Sequence, residues 1–487
     1  MSAGTFTTRW GMMLAMLGMA VGTGNIWRFP RVAATNGGGS FLVAWVTFLL
    51  LWSIPLILVE FAMGRATRYG PVGAFAKLVG EKFAWMGAWV AFTATAIMFY
   101  YTVVMAWTIR YFWAALSGEL SGAEPGALWD AVSYQPPILF YHALAMGLAA
   151  FVVAKGVRGI ETAARILIPS LFVLVLALAV RAVTLPGAER GLEFLFHFDG
   201  AQLLNYRIWL EALTQNAWDT GAGWGLILTY AIYMRSREDT ALNAFLLGFG
   251  NNSMSLLAGI VVLCTVFAIM PDAADQIVGA GNEGLTFIWV PQLFALMPLG
   301  RLFMVLFFLA LVFAAWTSLI SMIELATRVL VDLGLTRGRA IAMVAGFGFL
   351  FGIPSALSQA AFLNQDFVWG VGLMVSGLFF AIAVLKYGVT SFRETFINGE
   401  HADIRIGAWW DWAIRLVVVE AAVLIVWWFL QVRGEPLFGT FGIGNVLVQW
   451  ALALAVFVAA TRWLARRTLA AGPRSDAPEG HMPASIP

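Results

Sequence analysis

The sequence predicts an all-α polytopic membrane protein of twelve transmembrane helices: two five-helix units of opposite orientation and two further C-terminal helices. Three observations carry this prediction. Of 487 residues, 61% are hydrophobic and 11% charged, whereas a soluble domain carries about 25% charged residues; mean hydropathy is +0.83. Apolar stretches long enough to cross a bilayer, about 20 residues each, recur along the chain. Two of them, the first and the sixth, are broken by glycine clusters at corresponding places.

Taken in order, the predicted spans are 10–33, 41–65, 86–115, 137–154, 162–184, 207–233, 241–270, 301–330, 340–357, 367–390, 410–430 and 443–465. They make a single transmembrane domain over 1–467, with repeats at about 10–184 and 207–390 and extra helices at about 410–465. One set of connecting loops holds Arg65, Arg68, Lys77, Lys82, Lys155, Arg158, Arg165, Arg235, Arg237, Arg328, Arg337, Arg339, Lys386, Arg393 and Arg405, and the C-terminal tail adds Arg462, Arg466 and Arg467. The opposite loops hold Glu119, Glu124, Asp130, Glu189, Glu193, Asp272, Asp275 and Glu283. Basic loops stay on the cytoplasmic side, so both termini are expected in the cytoplasm of a multi-pass plasma (inner) membrane protein. The semi-polar stretches 185–206 and 271–300 read as outer caps, and 468–487, rich in Pro, Ala, Gly and Ser, as a disordered cytoplasmic tail. No cleavable leader is expected, because the first apolar stretch is too long and many follow it.

The first span carries Gly18-Met-Ala-Val-Gly-Thr-Gly-Asn-Ile-Trp-Arg-Phe-Pro30, then Asn36-Gly-Gly-Gly39. Such a run does not hold a regular helix. Broken backbone at membrane depth is tolerated only where it is buried or lines a polar cavity, so the break marks a binding site. The sixth span repeats the device in Gln215-Asn-Ala-Trp-Asp-Thr-Gly-Ala-Gly-Trp-Gly225, with Asn216 and Asp219 at membrane depth. Paired breaks in two halves are the signature of an inverted-repeat transporter site. Each break exposes N–H groups that attract a carboxylate and carbonyls that attract a cation. Glycines that serve only close packing are the competing explanation for either break alone.

Other chemistries lack their residues. Cys264 is the only cysteine, and His142, His197, His401 and His481 share no helical spacing, so neither a disulfide framework nor a haem or di-metal site is expected. No nucleophile–base constellation or nucleic-acid motif is present, so the chain reads as neither an enzyme nor a nucleic-acid binder.

The glycine-rich run of span one, together with Ala314-Ala-Trp-Thr-Ser318 in span eight, Tyr101 in span three, and Asn251 and Ser255 in span seven, resembles the neurotransmitter:sodium symporters, with their leucine-transporter-like fold, over about residues 5–465. The resemblance implies Na⁺-coupled uptake of an amino acid by alternating access. It implies a first sodium site of Ala20, Asn25, Asp219 and Asn251, and a second of Gly18, Val21, Ala314, Thr317 and Ser318. Thr317 and Ser318 by themselves read first as hydroxyls that bond back to carbonyls of their own helix. The substrate pocket would include Ala20, Gly22, Thr23, Gly24, Ile97, Tyr101, Trp218, Gly221, Gly223, Trp224, Ser318 and Met322. Gly22 stands where monoamine transporters of this family carry Asp, which leaves the substrate amine to carbonyls and favours a substrate carboxylate facing Tyr101. A small neutral, hydrophobic amino acid is the expected cargo. Arg28 and Asp366 would form an outer gate, and Tyr233 and Asp332 an inner one.

The chain departs from the family at Asp219, where Ser or Thr is usual. Chloride-independent bacterial members place a Glu in span seven, at the position of Ser255 here. Trp45 replaces the family's span-two Tyr, so Trp45, Gln215 and Ser255 read as a vestigial chloride site. Asp219 is expected to replace chloride and to touch sodium. Its place at a half-helix C-terminus costs about 0.3–1 kcal/mol and burial about 2.5–3.5 kcal/mol, and a bound Na⁺ in contact offsets both. Coupling of H⁺ through Asp219 is the rival. The family's Arg-x-x-Trp before span one is missing: Ala3 and Phe6 fall there, and Arg9, a turn later, is the candidate partner for Asp332. An osmolyte or other amine with H⁺ coupling, or a non-transporting sensor, are the alternative functions. The residues do not fix the amino acid, the Na⁺ ratio or the oligomeric state.

Overall fold

The computed structural model describes residues 4–120, 124, 126–235, 237–399 and 402–473, and among them the regular structure is helical throughout. Fourteen principal helices run in chain order: α1 Arg9–Ala20, α2 Phe29–Thr35, α3 Gly39–Thr67, α4 Ala84–Ser117, α5 Ile138–Ala154, α6 Gly156–Val183, α7 Tyr206–Asp219, α8 Leu226–Ala231, α9 Thr240–Ile269, α10 Gly300–Asp332, α11 Arg337–Leu357, α12 Gln359–Tyr387, α13 Trp409–Gln431 and α14 Ile443–Ala470.

Nine helices among the described residues are long and apolar enough to cross a membrane, and α5 is a shorter apolar helix of the same kind. The first and sixth predicted spans are absent from that set for a physical reason: each is two short helices. After α1, residues 21 and 22 leave helical geometry, a π-helical turn covers Gly24–Arg28, and α2 follows. After α7, residues 220–225 run as a turn before α8. Gly221, Gly223 and Gly225 have φ of 71°, 85° and 79°; only glycine takes that conformation freely.

Capping sets where the helices begin. Thr8 Oγ1 accepts from Gly11 N–H at 2.9 Å to start α1, and Asn205 Oδ1 accepts from Arg207 N–H to start α7, each satisfying a donor that has no partner inside its helix. The stretches at 185–206 and 271–300 fold as short helices, including Ala188–Phe196 and Val290–Ala295. At the C-terminus α14 continues to Ala470, so residues 468–470, placed in the tail by the sequence, are helical. The rest of that predicted tail from 474, with Ala3, His401 and His481, lies outside the described residues.

The long helix α4 packs along α10 and α12 at the centre of the bundle. The two broken segments lie within this frame: α1 touches α6, α9 and α10, and α8 lies against α3 and α10.

Candidate functional site

A cavity of about 550 Å³ lies at the two breaks and extends past Asp366 and Phe441. Of the expected substrate residues, Ala20, Gly22, Thr23, Gly24, Tyr101, Trp218, Gly221, Trp224, Ser318 and Met322 line it. Two do not. Ile97 is fully buried in the core behind the cavity. Gly223 turns its N–H to the Glu60 carboxylate at 2.7 Å, away from the cavity. Its apolar walls include residues the sequence did not single out: Met19, Val104, Phe362, Val371 and Met374.

Tyr101 O–H accepts from the N–H and Oγ1 of Thr23, both at 3.2 Å, which ties α4 to the break of span one. Gly22 is required there. A Cβ would stand 2.8 Å from Ser318 Oγ and 3.1 Å from the Tyr101 oxygen, closer than packed atoms permit. Gly22→Ala is expected to raise the substrate KM by about tenfold and to lower the thermal midpoint, since overpacking costs about 1–3 kcal/mol; saturation kinetics of uptake and a melting curve in detergent check this.

Asp219 ends α7 and is 4% exposed. Gln215 Nε2 donates to its Oδ2 at 3.0 Å and Ser255 Oγ donates to the same oxygen at 3.3 Å. Asn25 Nδ2 donates in turn to Ser255 Oγ at 2.8 Å and Asn251 Oδ1 at 2.9 Å. Asp219 Oδ1 is buried and accepts from no protein group. Asn25, Asp219, Asn251, Gln215 and Ser255 therefore form one polar cluster around the open carbonyl end of α1. Trp45, expected beside Gln215 and Ser255, is separate from it: its ring packs on Phe29 at 4.5 Å between centroids, and its carbonyl accepts from Asn216 Nδ2 at 2.9 Å, outside the cluster.

At the second expected sodium site α1 and α10 approach closely: a Cβ on Gly18 would lie 3.2 Å from Thr317 Cβ. Val21 N–H bonds to the Leu17 carbonyl at 2.7 Å, and the carbonyls beyond it in the last turn have no intrahelical partner. Thr317 Oγ1 donates to the Phe313 and Ala314 carbonyls at 3.0 and 3.1 Å, the back-bonded arrangement, which leaves its lone pairs open.

Glu60 is the functional residue that sequence reasoning missed. It is fully buried on α3. Its two oxygens accept from Gly223 N–H at 2.7 Å and Leu228 N–H at 3.1 Å, so one carboxylate holds both sides of the span-six break. The signal was present: an acidic residue inside an apolar span is costly and calls for a partner.

The expected gates are placed as follows. Arg28 and Asp366 both line the cavity, but no ion pair within 4.0 Å joins them; the Arg28 guanidinium lies over the Trp218 ring at 5.2 Å. At the outer mouth, burial pushes the Glu283 carboxyl above its usual range, against the pull of Tyr134, which donates to it at 3.3 Å. At the expected inner gate, Tyr233 O–H donates to Glu324 at 2.6 Å, and Arg337 pairs with Glu324. The expected Arg9–Asp332 pair does not form. Asp332 is held by Arg328 at 2.8 Å and by Gly70 N–H at 2.7 Å, while Arg9 pairs with Glu238 at 3.7 Å. Phe6 is buried edge-on against Tyr230 and Tyr233. Among the described residues no cluster of His, Cys, Asp and Glu is suited to a transition metal.

Comparison with known proteins gives the same picture. An uncharacterised sodium-dependent transporter of Methanocaldococcus jannaschii is 31% identical over 450 residues, 87% of this chain and 90% of that protein. One from Bacillus subtilis, YhdH, is 30% identical over 87% of this chain and 96% of its own length. The human sodium- and chloride-dependent taurine transporter is 25% identical over 91% of this chain and 80% of its own. The crystal structure of MhsT in complex with L-phenylalanine superposes with a TM-score of 0.75 at 29% identity, covering 88% of this chain and 99% of MhsT. These relatives are transporters, not enzymes. The model of the sodium:neurotransmitter symporter family matches residues 3–135 and 132–470, and with these relatives it shows that the chain belongs to that family.

Proposed function

We propose that this chain imports a small neutral, hydrophobic amino acid on the Na⁺ gradient by alternating access, without chloride, with Asp219 supplying the negative charge. That it is a sodium-dependent membrane transporter follows from its family; the cargo, the chloride independence, the twelve-span 5+5 topology with both termini cytoplasmic, and the two sodium sites are the proposal. The observation that carries it is the pair of donors on Asp219 Oδ2, Gln215 Nε2 and Ser255 Oγ, beside an Oδ1 that accepts from nothing. An amide and a hydroxyl are the donors an anion needs, and here they already hold a carboxylate. A buried carboxylate oxygen without a donor leaves a position for a cation, with Asn25, Asn251 and the Ala20 carbonyl beside it. Both donors point at one oxygen, an arrangement that an ionised and a neutral carboxyl both accept, so chloride replacement and proton coupling are separated by the ion dependence of uptake.

The cargo assignment rests on the cavity walls. Trp218, Trp224, Met19, Met322 and Met374 offer aromatic and thioether surface, polarisable groups that adapt to apolar side chains. Tyr101 and the span-one break at Gly22–Gly24, which line the cavity, would receive the substrate carboxylate. MhsT, which binds L-phenylalanine in its crystal structure, is consistent with such a cargo.

The test is uptake into proteoliposomes of the twenty amino acids, each with an inward Na⁺ gradient or with choline. Na⁺-dependent accumulation of leucine-, methionine- or phenylalanine-type substrates, with none of charged ones or taurine, is the expected result. Accumulation driven by a proton gradient in choline would favour the rival reading.

A further inference from the structure

We propose that Glu161, near the cytoplasmic end of α6, is the latch that holds the inner mouth closed, through the two threonines that precede α1. The inference rests on the alternating-access reading above.

The family resemblance places an Arg before span one against Asp332. In this chain Asp332 is already occupied by Arg328 and Gly70. The segment before α1 is nevertheless firmly tied down. Glu161 accepts from Thr7 N–H at 2.8 Å, Thr7 Oγ1 at 2.6 Å, Thr8 N–H at 3.2 Å and Thr8 Oγ1 at 3.3 Å. Arg165, one turn further along α6, donates to Glu161 at 2.6 Å and to the Thr7 and Thr8 hydroxyls at 3.0 and 2.7 Å. The carboxylate is 2% exposed. Arg165 and Glu161 share α6, but every contact to Thr7 and Thr8 joins positions more than 150 residues apart, so these bind the segment before α1 to another helix.

The other side of the segment is fastened to span six. Phe6 N–H donates to the Tyr233 carbonyl at 3.1 Å, Arg235 donates to the Thr7 carbonyl, and Arg9 pairs with Glu238. Phe6 thereby covers Tyr230 and Tyr233. Residues 6–9 form a strap between α6 and the inner end of span six, with Glu161 as its α6 anchor. Gly11 completes the fit, because any Cβ there would stand 1.9 Å from Glu161 Oε1. Charge-assisted hydrogen bonds are about twice as strong as neutral ones, so a carboxylate here closes the mouth more firmly than an amide. Opening inward requires the strap to leave either α6 or span six, and the contact gathered on one side chain is the one that a single event can release.

The test uses the full chain with Cys264→Ala and one introduced thiol. Tyr230→Cys reports the inner mouth, beneath Phe6, and Gln359→Cys reports the outer vestibule. Each is labelled with a membrane-impermeant maleimide from its own side in Na⁺. Glu161→Gln, and separately Thr7→Val, are expected to speed inner labelling about tenfold and to slow outer labelling severalfold. Faster labelling at both thiols would mean a loosened fold, and unchanged labelling at both would mean a mere helix cap; either result overturns the proposal. Uptake and Na⁺ protection of the Glu161 parent are measured alongside. A parent that does not transport would overturn the function proposed above, while the ratio of labelling rates still reads the latch.

Discussion

Asp219→Ser is expected to convert a chloride-indifferent transporter into a chloride-dependent one. The substitution restores the hydroxyl that the family usually carries at this position and leaves Gln215 and Ser255 with no acceptor between them. Their donors, 3.0 and 3.3 Å from the present carboxylate, would then face the space in which an anion fits. In chloride, uptake by the variant should recover to within severalfold of the parent; in gluconate it should fall at least tenfold. The sign follows from charge: a sodium ion in this buried cluster needs one nearby negative charge, because an uncompensated ion in a low-dielectric interior is costly. Asp219→Asn, which removes the charge and fills the space with an amide, should lose uptake in both salts. Loss of uptake by the Ser variant at every chloride concentration would show that Asp219 does more than stand in for an anion.

The second large effect is expected at Glu60. Glu60→Leu fits an apolar span and would be neutral if the acid were incidental. Instead it would strip the acceptor from Gly223 N–H and Leu228 N–H inside the bundle. Each buried donor left without a partner costs about 1–3 kcal/mol, so the loss should reach about 2–6 kcal/mol, seen as a marked fall in the thermal midpoint in detergent. Uptake should fall below a tenth of the parent even where the protein is still folded, because the span-six break carries Trp218, Gly221 and Trp224 into the cavity. Glu60→Gln keeps one acceptor oxygen and should be intermediate in both measurements. Equal midpoints for the parent and Glu60→Leu would show that the break holds its shape by other means.

Much of this site can be read from sequence, and the reasons are local. Glycines cannot crowd into an apolar span without breaking it, so both breaks fall where the glycine clusters stand, and Asp219 lies at the end of a half-helix as its position implied. Where the reading fell short, the missing information was direction or long-range partnership. Ile97 and Gly223 occupy pocket positions by register, but register does not say which way a side chain or an N–H faces. Glu60 was passed over because its partners are backbone groups more than 160 residues away, and no spacing rule encodes those.

Arg328 and Asp332 are a different case. They stand one helical turn apart, a spacing that favours pairing, so the occupation of Asp332 was legible and was obscured by attention to Arg9. Arg28 faces Asp366 across the cavity, yet it rests on the Trp218 ring. The choice between those two partners is not written in the sequence.

The most direct measurement is concentrative uptake of a hydrophobic amino acid by the unmodified protein in proteoliposomes. It compares an inward gradient of sodium gluconate with sodium chloride and with choline chloride. Accumulation that is equal in the two sodium salts and absent in choline is the predicted result. Accumulation in sodium chloride that disappears in sodium gluconate would contradict the role given to Asp219.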